Sequence, residues 1–165
     1  MTTSTKIAFQ PLWDAHPAVQ GDPSPCLNKA GEPAFANQCA IRMGVALKAV
    51  GITVTGCKVC WHGHSGKQHV LLAEQLATFL LGQKRKLGTV EKKKGKNWDA
   101  TNGVDVTHYH GRKGIIFFKD FWTRDGESES NPTGDHIDVW DGSSQGQGSD
   151  GYFERSKQLW FWELT

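Results

Sequence analysis

The chain contains no apolar run approaching the roughly 20 residues that cross a bilayer core. Its opening, Met1-Thr-Thr-Ser-Thr-Lys6-Ile-Ala-Phe9, has no apolar block of the kind a cleaved export signal requires. Neither membrane insertion nor export through a cleaved signal is expected. An excess of one charge is also missing: 19 Lys and Arg stand against 17 Asp and Glu, a net charge of +2, which argues against a protein devoted to nucleic acid. Proline is scarce beyond residue 33, because five of the six fall in the first 36 residues. Cysteine numbers only four, a pattern that a reducing cytosol would hold as thiols.

What remains is the composition of a folded globule, with 38% apolar residues and seven tryptophans, and with 19 glycines that point to many turns. At 165 residues one domain, 1–165, is expected, large enough for a single core. Residues 1–36 read as an irregular surface segment anchored by Phe9, Leu12 and Trp13. Residues 37–82 read as a helical part and 111–165 as a sheet part. The lysine-rich stretch 83–97, with Lys84-Arg85-Lys86 and Lys92-Lys93-Lys94-Gly95-Lys96, reads as a solvated loop.

Spacing predicts the first helix over about Gln38–Val50. Cys39, Met43, Ala46, Leu47 and Val50 share one face of a period of about 3.6 residues, and Gly51 stops it. Asn37 is a candidate N-cap. Cys39 then sits in the first turn, where unpaired amides and the helix dipole lower a thiol's pKa and donate to an oxyanion formed by attack on an acyl carbon. Against this stands the tendency of cysteine to be buried as a small apolar residue, so a partner histidine has to decide. A second amphipathic helix is expected over about Lys67–Leu81, with Leu72, Leu76, Phe79 and Leu80 as its stripe and Gly82 as its stop.

From Gly111 onward the pattern turns to strands: 114–119, 136–140 and 159–164. Joined by loops, they should pair antiparallel, and helices followed by such a sheet make an α+β domain. In the middle strand, alternation puts Ile137 and Val139 on a packing face and His136, Asp138 and Trp140 on the other. The first helix, packed on this sheet, would bring the Cys39 sulfur to the His136 imidazole, the pairing a thiolate nucleophile needs. A third group must orient the ring. Asp150, in a segment expected to open the next strand, is preferred, and Asp138, on the same strand face as His136, is the alternative.

Cys57-Lys-Val-Cys60-Trp-His62-Gly-His64 supplies N and S donors for zinc, though the gap between the pairs is shorter than in zinc fingers. A disulfide or thiol cluster among Cys26, Cys57 and Cys60 is preferred, and no metal or other cofactor is assigned. His108 and His110 read as turn residues that could reach the cleft, and His69 as a surface residue.

Four blocks together carry a resemblance: Asn37-Gln-Cys39-Ala-Ile-Arg42-Met-Gly44, Gly111-Arg-Lys-Gly114-Ile-Ile-Phe-Phe118, Gly134-Asp-His136-Ile-Asp-Val-Trp-Asp-Gly142, and the terminal aromatic strand. In this order they resemble the fourth subfamily of type VI secretion amidase effectors, over most of the chain from residue 35 onward. The resemblance implies a papain-like, NlpC-type cysteine hydrolase fold and cleavage of peptidoglycan stem peptides between γ-D-glutamate and meso-diaminopimelate. It also implies injection by the type VI secretion apparatus, action in the periplasm of a rival cell, and neutralisation by a dedicated periplasmic immunity protein. Carried onto this sequence, the nucleophile falls on Cys39, the general base on His136 and the orienting acid on Asp150. The stretch 143–149 is longer than the family's usual connection, and no cysteine pair flanks Asp150 as in some members, so Asp138 stays open as the third member. Synthesis without a signal peptide fits delivery by a secretion machine.

Two other readings follow from the residues. One is a zinc-stabilised binding module built on Cys57, Cys60, His62 and His64. The other is a transglutaminase-like or acyltransferase thiol enzyme, since the same three residues do not choose between water and an amine as acceptor. The basic loop and exposed tryptophans such as Trp61 are expected to steer the anionic, sugar-bearing substrate.

Overall fold

A computed structural model describes residues 6–60, 69–95, 103–122, 124–127 and 134–165. In chain order the elements are α1 (Phe9–Ala15), α2 (Cys39–Ala49), α3 (Ala73–Leu81), α4 (Lys84–Leu87), β1 (Glu91–Lys94), a 3₁₀ turn (Val106–Tyr109), β2 (Gly114–Trp122), β3 (Gly134–Trp140), α5 (Gly151–Arg155) and β4 (Gln158–Glu163). The strands form one antiparallel sheet in the order β1-β4-β2-β3. The expected α+β fold with an antiparallel sheet is what the structure shows, except that α5 lies between β3 and β4, where no helix was expected.

Three local expectations are corrected. The N-terminal segment is not irregular throughout, because it folds α1 with Phe9 and Leu12 buried. Pro11 is tolerated there because amides in a first turn have no intrahelical acceptor to lose. The second helix begins at Ala73, not near Lys67. Cys60 N–H donates to the His69 carbonyl at 2.9 Å and Leu71 N–H to the Lys58 carbonyl at 3.0 Å, so 69–71 is spent as extended chain. Leu72 is consequently an exposed N-cap and not part of the buried stripe that Leu76 and Leu80 form. The stretch 83–97 is not a loop: its described part holds α4 and β1. All four β1 residues are exposed, and this lysine-rich edge is of the kind that discourages pairing with other chains.

The sheet is covered on both sides, which is why all seven residues of β3 are buried. Ile115, Phe117, Ile137, Val139 and Trp162 pack with α1, α2 and α3 on one face. Ile116, Phe118, Trp140 and Phe161 pack with Phe153 of α5 and Tyr109 on the other. The expected alternation holds, with Ile137 and Val139 on one face and His136, Asp138 and Trp140 on the other, and both faces are packed. His136 and Asp138 lie on β3 beneath a second cover made by α5 and the chain leading into it.

Two contacts place α2. α2 packs along β3, the outer strand of the sheet, and α1 packs on α2. α1 is itself fixed to the far end of the chain by a hydrogen bond from Phe9 N–H to the Thr165 carbonyl at 3.0 Å. The first turn of α2 thus meets the edge of the sheet at His136, and the last residue of α1 is followed by His16 close to the same strand.

Candidate active site

Cys39 is the first residue of α2 and is 4% exposed. Burial alone would raise its thiol pKa. The hydrogen bond and charge of His136, the backbone N–H of Ile137 and the charge of Arg42 outweigh burial and bring the thiol below its ordinary value. His136 moves the other way. Burial opposes its charged form, but hydrogen bonds to Asp138 and Cys39, with their negative charges, raise it to about 9. The two shifts describe a thiolate beside an imidazolium.

The sequence expected two aspartates to compete for the imidazole, and the structure brings Asp138 to it. Asp138 Oδ2 lies 3.0 Å from His136 Nε2, which leaves Nδ1 for the thiol. The carboxylate is fully buried and is held by the Val139 N–H at 2.7 Å and the Gln147 N–H at 2.8 Å. Burial pushes its pKa up, but the hydrogen bond and charge of His136, the charge of His16 and the Gln147 amide together hold it below the usual carboxylate range. Asp150 is not at the ring. It is the exposed N-cap of α5, a short helix where a strand was expected, and its side chain makes no capping bond. The stretch 143–149 carries the backbone of Gln147 to Asp138, with α5 beginning beyond it.

One residue at the site escaped the sequence reading. His16, at the C-terminal end of α1, is fully buried with Nε2 3.3 Å from Asp138 Oδ1, an electrostatic approach and not a hydrogen bond. Burial lowers its pKa to about 4 despite the attraction of Asp138, with Arg42 and His136 adding to the depression, so it is neutral at pH 7. Nothing in the local sequence marks this histidine; only α1 folding back along α2 puts it there. Gly146 is required at this crossing, because a Cβ there would lie 2.7 Å from Asp138 Oδ1 and 2.9 Å from the His16 ring.

Aromatic rings enclose the imidazole on its other sides. Tyr152 stands edge-on at 5.0 Å between ring centres, with Phe118 at 6.1 Å and Phe121 at 6.2 Å. Two openings reach the pair. A groove of about 1110 Å³ runs past Cys39 between Cys57, Phe79, Trp122 and Arg124, and a smaller hollow reaches His136 past Arg42 and Tyr152. Asn37 and Trp122 border both. Asn37 does not cap α2 by the expected geometry, since Gln38 is the N-cap residue; its Oδ1 instead accepts the Cys39 N–H at 3.1 Å. The Gln38 amide is turned away and grips the backbone N–H and C=O of Cys26, each at 2.9 Å.

The remaining predicted residues lie elsewhere. Cys26 and Cys60 share a small buried cluster, while Cys57 packs against the α2–α3 core and borders the groove. His69 is buried at 6% exposure and joins Cys26 and Cys60, contrary to its expected place on the surface. Its backbone pairing with Cys60 turns it inward. His108 is exposed beside Glu91 and His110 stacks on Trp140, and neither borders the groove. Trp61, His62 and His64 lie outside the described residues.

A thiol at a helix start, paired with an imidazole from the edge strand of an antiparallel sheet, defines the class: a papain-like, NlpC-type α+β fold. The family profile described as type VI secretion system (T6SS), amidase effector protein 4 (Tae4) matches residues 35–162, and the chain belongs to that family. It is accordingly a peptidoglycan amidase that acts as a secreted antibacterial effector on the periplasm of a target cell. Among solved structures, the chain is similar to the Tae4 effector of Enterobacter cloacae, at 21% identity and a TM-score of 0.65 over 98% of this chain and 99% of that one. It is also similar to the effector–immunity complex Tae4–Tai4 of that organism, at 20% identity, TM-score 0.64, 98% of this chain and 100% of that one. A Tae4/Tai4 structure from Salmonella typhimurium matches at 21% identity, TM-score 0.63, with the same coverage. These likenesses establish the fold. A comparison with curated proteins found no match.

Proposed function

We propose that the chain is a D,L-endopeptidase that cuts the bond between γ-D-glutamate and meso-diaminopimelate in peptidoglycan stem peptides, using Cys39, His136 and Asp138. The observation that carries this is the buried row of thiol, imidazole and carboxylate, in which each shift favours the ionised pair. The Cys39 thiolate attacks the γ-glutamyl carbonyl. The Cys39 amide, now donating to Asn37 Oδ1, passes to the oxyanion as Asn37 swings aside. His136 gives its proton to the leaving amine, then takes one from water, which releases the acyl group from sulfur. Asp138 fixes the ring tautomer through Nε2 and balances the imidazolium charge.

The family resemblance supports the choice of bond, and the groove supports a peptide substrate, since it offers Arg124 to carboxylates and Glu74 and Asp135 to an ammonium group. The Tae4–Tai4 complexes among the similar structures support a cognate immunity protein as partner. Digestion of a defined tetrapeptide muropeptide, with the fragments weighed by mass spectrometry, tests the reading. A fragment ending in glutamate and a released peptide beginning with diaminopimelate are expected. Cleavage at another bond, or transfer to an added amine in place of hydrolysis, would overturn it.

A further inference from the structure

Away from the active site, three donors from separate stretches of chain converge in the interior. Cys26 comes from the N-terminal segment and is fully buried; Cys60 and His69 come from the paired stretches 58–60 and 69–71 and are 7% and 6% exposed. One donor atom from each, two sulfurs and a ring nitrogen, lie within 4.8 Å of one another. We propose that Cys26, Cys60 and His69 form a binding site for one thiophilic divalent cation, zinc above all.

Geometry and donor chemistry both point this way. Around tetrahedral zinc, with bonds of about 2.3 Å to sulfur and 2.0 Å to nitrogen, two sulfurs and a nitrogen stand about 3.5–3.8 Å apart, so a small contraction of the cluster closes on the ion. Thiolate and imidazole without a carboxylate suit zinc and not magnesium or calcium. Binding releases the two thiol protons to solvent, His69 coordinates as neutral imidazole, and water takes the fourth position. Two thiolates balance the charge of the ion, as burial demands. The imidazole is the donor that separates this proposal from a disulfide, which needs the sulfurs alone.

The site has a structural consequence. The Gln38 side chain grips the backbone of Cys26, and the next residue is Cys39. A cation tying Cys26 to the paired stretches 58–60 and 69–71 therefore fixes the approach to the first turn of α2. It differs from the quartet the sequence offered, since Cys26 and His69 stand where Cys57 and the two later histidines were considered.

The test uses the full chain, free of any histidine tag and carrying Cys39→Ala so that the nucleophile contributes no thiolate. Loaded with zinc chloride and stripped of excess, it should retain about one zinc per chain by elemental analysis. Loaded with cobalt(II), it should show the thiolate-to-cobalt charge-transfer band. Cys60→Ser and His69→Ala should lose the metal, and Cys57→Ser should keep it. Because the first two substitutions fall in a buried cluster, a second readout uses the parent chain alone: zinc should protect Cys26 and Cys60, located by peptide mapping, from alkylation. Retention of no metal, a cobalt complex without the charge-transfer band, or equal loss in Cys57→Ser would each overturn the proposal.

Discussion

Among individual residues, the carboxylate that serves His136 decides the chemistry. Asp138 is buried and bonded to the ring, whereas Asp150 is exposed at the start of α5. Asp138→Asn should lower kcat by about a hundredfold or more, because an amide in that place holds the wrong tautomer and leaves the imidazolium unbalanced. Asp150→Asn should leave kcat within about twofold, since surface changes away from such networks have small effects. Steady-state rates on a muropeptide compare the two, and the reverse ranking would restore Asp150. Cys39 and His136 were legible in the sequence because each lies in a strongly patterned element, one at the head of an amphipathic helix and the other on an alternating strand. The choice between the aspartates was not, because it depends on whether the chain after residue 149 makes a strand or a helical turn. The carboxylate of Asp138 and the ring of His136 extend from the same strand face and meet.

At the element scale, the stretch 143–149 acts as a cover over Asp138, with its backbone amide at Gln147 bonded to the carboxylate. Gly146 lets it approach. Gly146→Ala should cost about 1–3 kcal/mol of stability, as overpacking in a filled interior does, and should lower the rate as well, because Asp138 is the atom displaced. Thermal melts and rates measured together check this; a variant with unchanged Tm and rate would show that the cover yields freely. α2, the body of α3 and three of the strands could be read from periodicity, whereas α4 fell in a stretch read as a loop and α5 where a strand was expected. α1 and β1 could not, the first because prolines disguise a short helix whose burial is tertiary, the second because a run of lysines forms a strand only where β4 offers it an edge.

At the scale of the whole molecule, buried titratable groups set the pH range. His16 has a folded pKa of about 4 against an ordinary 6.5. Its contribution to stability is therefore complete above pH 6.5 and is lost as pH falls toward 4, when the unfolded chain takes up a proton that the folded chain refuses. His136, raised to about 9, contributes fully below pH 6.5 and loses that contribution as pH rises through 9. Tm should decline between pH 6.5 and 4 more steeply in the parent chain than in His16→Gln; parallel slopes would remove His16 from the acid limb. The rate should fall on the alkaline side near pH 9, where the imidazolium that protonates the leaving amine is lost.

The most direct measurement is stem-peptide cleavage by Cys39→Ala beside the parent chain, with each reaction quenched early and the protein weighed intact. An acyl adduct is expected on the parent, mapped to the peptide bearing Cys39, with neither adduct nor cleavage in the variant. Cleavage by Cys39→Ala at the parent rate would contradict the assignment of Cys39 as nucleophile.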